Sequence, residues 1–130
     1  MLPLALVMGW AAAAEPQGGA QPENKLVGTW KHVPAKPGGP TTLKHVTPTQ
    51  FMWVTYGPDG TVTRAAGGNY KLKGDVYEET PEYGLGASFE AVKGQTHAFK
   101  WRVEGDKWYH SGMLANGLEI NEVWERVAKK

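Results

Sequence analysis

The chain has 130 residues, a length that fits one domain, and its hydrophobic (41%) and charged (21%) fractions are those of an ordinary globular protein. Lys and Arg number 14 against 13 Asp and Glu, so the net charge of +1 lacks the basic excess that nucleic-acid binding requires. The absence of cysteine excludes disulfides, thiolate zinc sites and a thiol nucleophile.

The first predicted element is a signal peptide over residues 1–14. Leu2 to Ala14 carry no charge and end in four alanines before Glu15, which is typical of a secretory leader and its cleavage site. The apolar run is shorter than the ~20 residues that a membrane-spanning helix needs, so we expect no stable membrane span. The protein is therefore expected to be exported, either periplasmic or secreted. The alternative is a docked N-terminal segment of a cytoplasmic protein.

A flexible linker is predicted next, because residues 15–24 are polar, contain Pro and Gly and lack hydrophobic periodicity. Residues 25–130 form the predicted domain. Its many Gly and Pro residues leave room for a short helix only between Ala87 and Lys93.

Short runs of Val, Thr, Tyr, Trp and Phe separated by turn residues predict an all-β domain. The predicted strands lie near Gly28–Pro34, Thr42–Val46, Phe51–Tyr56, Thr61–Ala65, Asn69–Lys73, Val76–Thr80, Ser88–Val92, His97–Glu104, Lys107–Leu114 and Leu118–Val127. Local hairpins dominate, and closure hides both sheet edges. We therefore expect a single antiparallel up-and-down β-barrel of about eight to ten strands.

The last strands allow a prediction of register. In residues 97–104 apolar and charged side chains alternate, so the aromatic face should point inward. A two-residue turn at Gly105-Asp106 then pairs Trp101 with His110 and Val103 with Trp108.

For the final hairpin, a three-residue loop at 115–117 buries more apolar surface than a two-residue loop. It sets His110 opposite Glu122 and Trp108 opposite Trp124. A buried carboxylate is costly without a partner, so Glu122 needs His110, a tyrosine hydroxyl, water or a ligand.

The two ends of the domain resemble the lipocalin and fatty-acid-binding-protein superfamily. Lys25 to Val33 contains the Gly-x-Trp of the first strand, and Gly94 to Val127 is similar to the last three strands. The segments 47–54, 67–70 and 105–112 look like a bacterial exported lipocalin-like family of unassigned function. The resemblance implies a lipocalin-like barrel over nearly the whole domain.

The resemblance also assigns two structural residues. In lipocalins an Arg on the last strand packs over the first-strand Trp and closes one barrel end, which transfers to Arg126 and Trp30. Fatty-acid-binding proteins hold a ligand carboxylate with Arg-x-Tyr, but Glu122 and Trp124 stand at those positions. A carboxylate there would repel a fatty-acid head group and prefer a cation, an amine or a hydroxyl-rich ligand.

The candidate ligand-binding residues are those that the predicted register turns into the barrel: Trp53, Phe99, Trp101, Trp108, His110, Glu122 and Trp124. They would line a pocket for a small hydrophobic or amphipathic ligand, or simply fill a small barrel. The other histidines, His32, His45 and His97, are interpreted as structural or exposed. Alternation puts Tyr77 and Glu79 on one face of a stretch that we interpret as a solvated rim.

Three functions stay open at this point. The first is an exported barrel that binds a small molecule without catalysis. The second is an enzyme with Glu122 and His110 as acid and base, and the third is an envelope-associated interaction module with a filled barrel. Combinations of His97 or His110 with Glu79 or Glu122 lack metal-binding spacing, and no phosphate loop or nucleophile elbow occurs. We therefore expect no metal and no cofactor, and the favoured non-catalytic function assigns no catalytic residue. The oligomeric state stays undetermined.

Overall fold

A computed structural model of the protein describes residues 23–128 as one closed antiparallel barrel. The elements in chain order are β1 (Gly28–His32), β2 (Thr41–Val46), β3 (Gln50–Tyr56), β4 (Val62–Lys73), β5 (Val76–Leu85), the one-turn helix α1 (Ala87–Glu90), β6 (His97–Glu104), β7 (Lys107–Met113) and β8 (Glu119–Arg126). Each strand pairs with the next, and β8 pairs with β1. The predicted all-β up-and-down barrel is confirmed.

The predicted signal peptide and most of the predicted linker lie outside the described residues. Asn24, the last linker residue, donates a hydrogen bond to the hydroxyl of Tyr70 and accepts one from the backbone of Leu26. No helix among residues 23–128 is long and apolar enough to cross a membrane.

The strand count is eight because two predicted strands form one. Thr61–Ala65 and Asn69–Lys73 belong to the continuous β4, and the register against β5 shifts between Gly67 and Gly68. A Cβ atom on Gly68 would collide with the backbone carbonyl of Thr80, so this bulge requires a residue without a side chain. Gly67 and Gly68 therefore form a bulge within β4 and are not a turn between two strands.

The predicted strand Ser88–Val92 is also wrong, because α1 occupies Ala87–Glu90. The preceding β5 runs to Leu85, farther than expected, and α1 then turns the buried side chain of Phe89 against Gly84, where a Cβ would meet its ring. Anchoring one large apolar side chain over the barrel outweighs the β propensity of this segment.

The predicted C-terminal register is confirmed. Trp101 pairs with His110, Val103 with Trp108, His110 with Glu122, and Trp108 with Trp124. Gly117 has a φ of +86° in the three-residue loop, and Leu114 donates a backbone hydrogen bond to Leu118 across it.

The barrel has two dissimilar ends. We call the half near connections 47–49, 74–75 and 105–106 the closed half, and the half near connections 33–40, 57–61, 86–96 and 114–118 the open half. The closed half holds a core of large apolar side chains, which includes Leu26, Trp30, Phe51, Tyr70, Tyr77 and Trp108.

Arg126 covers the closed half. Its guanidinium carbon lies 4.2 Å from the centre of the Trp30 ring, and its nitrogens donate to the carbonyls of Lys25 and Val27 at 2.7 and 3.2 Å. The indole of Trp30 donates to the carbonyl of Leu26 at 2.9 Å. The last strand therefore ties the segment before β1 across the barrel end, in the arrangement that the lipocalin resemblance implies.

Candidate functional site

A cavity of about 220 Å³ occupies the open half of the barrel. Its residues come from all eight strands, from α1 and from the connections that precede β6 and β8. Its wall combines aromatic, aliphatic and ionisable side chains: His32, Thr42, Lys44, Trp53, Arg64, Ala66, Glu79, Pro81, Ser88, Val92, His97, Phe99, His110, Leu114, Leu118, Ile120, Glu122 and Trp124. Apolar walls with a few convergent polar groups are typical of small-molecule sites.

Five of the seven candidate ligand-binding residues line this cavity: Trp53, Phe99, His110, Glu122 and Trp124. The other two do not. Trp108 is fully buried in the closed half, with its ring 5.5 Å from that of Trp30. Trp101 points toward the closed end, where its indole donates to the carbonyl of Gly74 at 3.0 Å.

The predicted juxtaposition of His110 and Glu122 is present, but no hydrogen bond joins their side chains. Glu122 instead accepts a hydrogen bond from the indole of Trp124 at 3.2 Å. His110 Nδ1 is buried and has no hydrogen-bond partner among the described residues. The carboxylate has therefore found a partner in the barrel wall, and the imidazole has not.

Lys44 is a site residue that the sequence analysis did not identify. Its ammonium is buried at the boundary between the two halves, where Nζ lies 4.7–5.4 Å from the ring centres of Phe51, Tyr77, Trp108 and Trp124. Glu79 accepts its single side-chain hydrogen bond, at 3.3 Å. An aromatic cage with a carboxylate is the environment that recognises an organic cation, and here the protein's own lysine occupies it.

The buried carboxylate of Glu79 corrects the interpretation of residues 77–83 as a solvated rim. Tyr77 is fully buried and Glu79 is 8% exposed. The alternation of the stretch was predicted correctly, but the face that carries both residues turns into the barrel, where Lys44 compensates the carboxylate. Burial, followed by the charge of Glu79, raises the pKa of Tyr77 well above its ordinary value.

Three imidazoles line the cavity: His32, also expected to be structural or exposed, is half-buried there, and His97 and His110 are buried. His97, expected to be structural or exposed, is 4% exposed and pairs across the sheet with Glu79, and its Nε2 has no hydrogen-bond partner in residues 23–128. His110 is equally buried, and burial together with the charge of Lys44 lowers its pKa well below the ordinary value. His110 is therefore uncharged at neutral pH, with one nitrogen able to donate and the other to accept.

In comparisons with known proteins, no protein-family model and no curated protein matches the chain. Nor does the described part of the chain contain a group of three or more His, Asp or Glu residues placed to hold a metal ion. What the site can do therefore follows from its geometry. The cavity offers apolar walls, two imidazoles with free nitrogens, and four formally charged side chains of balanced sign.

The sequence indicates only weakly that Lys44 and Glu79 belong to the site. Lys44 shares its strand face with Thr42 and Val46, so period-two alternation places it inward once Val46 is assigned to the core. Its partner Glu79 is 35 residues away. Only the closure of the barrel brings the two together, and a lone lysine in a predicted strand is ordinarily solvated.

Proposed function

We propose that this protein is an exported lipocalin-like barrel that binds a small apolar or amphipathic molecule in its open half without transforming it. The observation that carries the proposal is the cavity itself, because a barrel that served only as a packed scaffold would have no reason to leave this space above an aromatic core. The Arg126 and Trp30 pair at the closed end supports the lipocalin-like assignment.

The composition of the cavity supports an amphipathic occupant. The wall is mainly apolar, and Leu118, at its open end, is 56% exposed. An apolar ligand body would cover such side chains, which gives binding a hydrophobic driving force. Buried unpartnered nitrogens on His97 and His110 would bind the polar part of the same ligand, because burial without a partner costs free energy.

The direct test is native mass spectrometry of the protein purified from its own cells, followed by solvent extraction of the released molecules. The proposal predicts a stoichiometric small molecule. Ile120→Trp, which adds bulk inside the cavity, should abolish its retention. Asn121→Trp adds the same bulk on the outward face of β8 and should retain it. Equal retention in the two variants would place the bound molecule outside the cavity and contradict the proposal.

Export is tested separately by intact mass and N-terminal sequencing of the natively expressed protein. Cleavage after Ala14 is the expected result. Retention of Met1 in the mature protein would contradict export while leaving the binding proposal unaffected.

A further inference from the structure

The two buried charges that line the cavity are paired with each other, and the half-buried carboxylate of Glu122 is hydrogen-bonded to the protein. Lys44 pairs with Glu79 at 3.3 Å, and Glu122 accepts a hydrogen bond from Trp124. The remaining charged residue of the wall, Arg64, is exposed near the open end with its guanidinium carbon 5.7 Å from the ring centre of Trp53. The wall thus has no buried charge without a protein partner.

A charged ligand group that reached the buried Lys44 and Glu79 pair would lie close to a charge of its own sign. An ammonium beside Glu79 would also lie near Lys44, whose cage is occupied by its own Nζ. A carboxylate directed at Lys44 would approach Glu79, which is already bonded to that nitrogen. Like-charge contacts in a cavity of low dielectric are strongly unfavourable, so the pocket selects against both signs.

Four buried polar side-chain atoms in residues 23–128 have no hydrogen-bond partner, and the two that belong to cavity-lining residues are on imidazole rings, whereas the Tyr77 hydroxyl and Trp108 Nε1 lie in the core. His110 Nδ1 and His97 Nε2 are buried in the cavity wall, and both imidazoles lie beside Phe99, with ring centres 4.2 and 6.4 Å from its own. His110 is uncharged, so it can exchange a hydrogen bond with a neutral donor or acceptor. Phe99 and Trp124 supply aromatic faces to the same space.

The size of the cavity narrows the choice further. At about 220 Å³ it is smaller than the ~300–1,000 Å³ of pockets that enclose drug-sized ligands. A compact ring fits this space and can lie against the aromatic faces, whereas a long acyl chain would extend out of the open end.

We infer that the preferred ligand is a compact uncharged aromatic compound of one or two rings whose hydroxyl or ring N–H bonds to the buried imidazole of His110 or His97. This inference rests on the proposed binding function and adds the chemical class. Of the expectation drawn from Glu122, it keeps the hydroxyl and replaces the cation or amine, because the Trp124 indole already bonds to that carboxylate and the deeper charges, Lys44 and Glu79, pair with each other.

The test is isothermal titration calorimetry of the full chain, freed of retained small molecules, with indole, benzoate, benzylamine and dodecanoate at pH 7.5. We expect indole to bind at least tenfold more tightly than any of the charged probes. Benzothiophene has the shape of indole without the N–H and should bind at least tenfold more weakly than indole. This comparison needs no variant, so it holds even where a substitution unfolds the barrel.

The variants His110→Phe and His97→Phe identify the partner. At least one should weaken indole binding tenfold or more and abolish the preference over benzothiophene. The matched control is His45→Phe, because His45 is exposed on the outer face of β2 and bonds to Thr29. It should leave indole affinity unchanged.

The outcomes separate the inference from the function on which it rests. Tighter binding of benzoate, benzylamine or dodecanoate, or equal binding of indole and benzothiophene, would overturn the inference and leave the binding function intact. A small molecule of another class recovered from the native protein would do the same. Failure of all probes to bind, together with a native protein free of any retained molecule, would overturn both.

Discussion

The closed and open halves of the barrel are built from the same strands but are filled differently. On the inward face, the closed half carries Trp30, Tyr70, Tyr77 and Trp108, whose rings stack or meet edge to face at 5.2–5.6 Å. The open half also carries aromatic side chains, Trp53 and Phe99, but sets smaller ones, Thr42 and Ala66, among them on the strands. Residue size along the strands therefore decides where the barrel is solid and where it is hollow.

The boundary between the halves is a buried polar layer. Lys44 faces four aromatic rings and pairs with Glu79, and His110 lies above the same aromatic cluster, 5.3 Å from Trp108. These three polar side chains separate the apolar core from the cavity. The closed half therefore supplies most of the stability, and the open half can bind a ligand. Substitutions in each half can test this division.

The largest expected effect is at the centre of the closed half. Trp108→Ala removes a fully buried indole and should lower the free energy of unfolding by about 3–5 kcal/mol. Trp53→Ala, in the half-buried wall of the open half, enlarges an existing space and should cost less than about 2 kcal/mol while weakening ligand binding. Urea unfolding of both variants checks this. Equal losses would mean that the two halves contribute alike to stability.

The next effect tests the boundary layer. Lys44→Met leaves the buried carboxylate of Glu79 without its cation and should cost about 3–5 kcal/mol. The double variant Lys44→Met with Glu79→Met removes both charges and places a thioether among the aromatic rings, so it should recover most of that loss. The measurement is a double-mutant cycle from urea unfolding. Strictly additive losses would show that the pair is not coupled.

The C-terminal hairpins were the most predictable part of the fold. Alternation and loop length were sufficient to pair Trp108 with Trp124 and His110 with Glu122, because hairpin register is a local property. The two errors, Gly67-Gly68 and residues 88–92, arose where tertiary packing overrides a local pattern. At Gly67-Gly68 the strand β4 bends, and the backbone of Thr80 approaches Gly68 closely. In residues 88–92 the chain forms a helical turn, which packs the buried ring of Phe89 against Gly84.

The site was less predictable for a different reason. Five cavity residues followed from alternation, but the polar groups that define its chemistry did not, since Lys44 and Glu79 meet only through barrel closure. Trp101 shows the complementary limit. Trp101 pairs with the cavity residue His110, yet its side chain packs against the core and its indole reaches the 74–75 turn, and strand periodicity does not predict how a side chain leans along the strand.

A smaller effect is expected at the cover of the closed half. Arg126→Ala removes the cation over Trp30 and two hydrogen bonds to the segment before β1, and should cost about 1–3 kcal/mol. Ligand affinity should not change, because the substitution lies outside the cavity. Arg102→Ala is the matched control, since Arg102 also lies over a ring, that of Tyr109, but is solvent-exposed on the outer face. Wild-type melting of the Arg126 variant would contradict the closing role.

The smallest effect is the pH dependence of stability contributed by the boundary layer. The folded pKa of His110 lies below its unfolded value of about 6.5, so between these two values the unfolded chain binds more protons than the folded one. Its contribution is therefore complete above pH ~6.5 and declines as the pH falls through that window, by at most about 1.4 kcal/mol per pH unit. His110→Gln should flatten this slope in urea unfolding between pH 7.5 and 5. An unchanged slope would assign the proton uptake to other groups. His110 also lines the cavity and stays neutral in the folded state throughout this window, so the affinity of a ligand that bonds to its neutral form should stay constant there while stability declines.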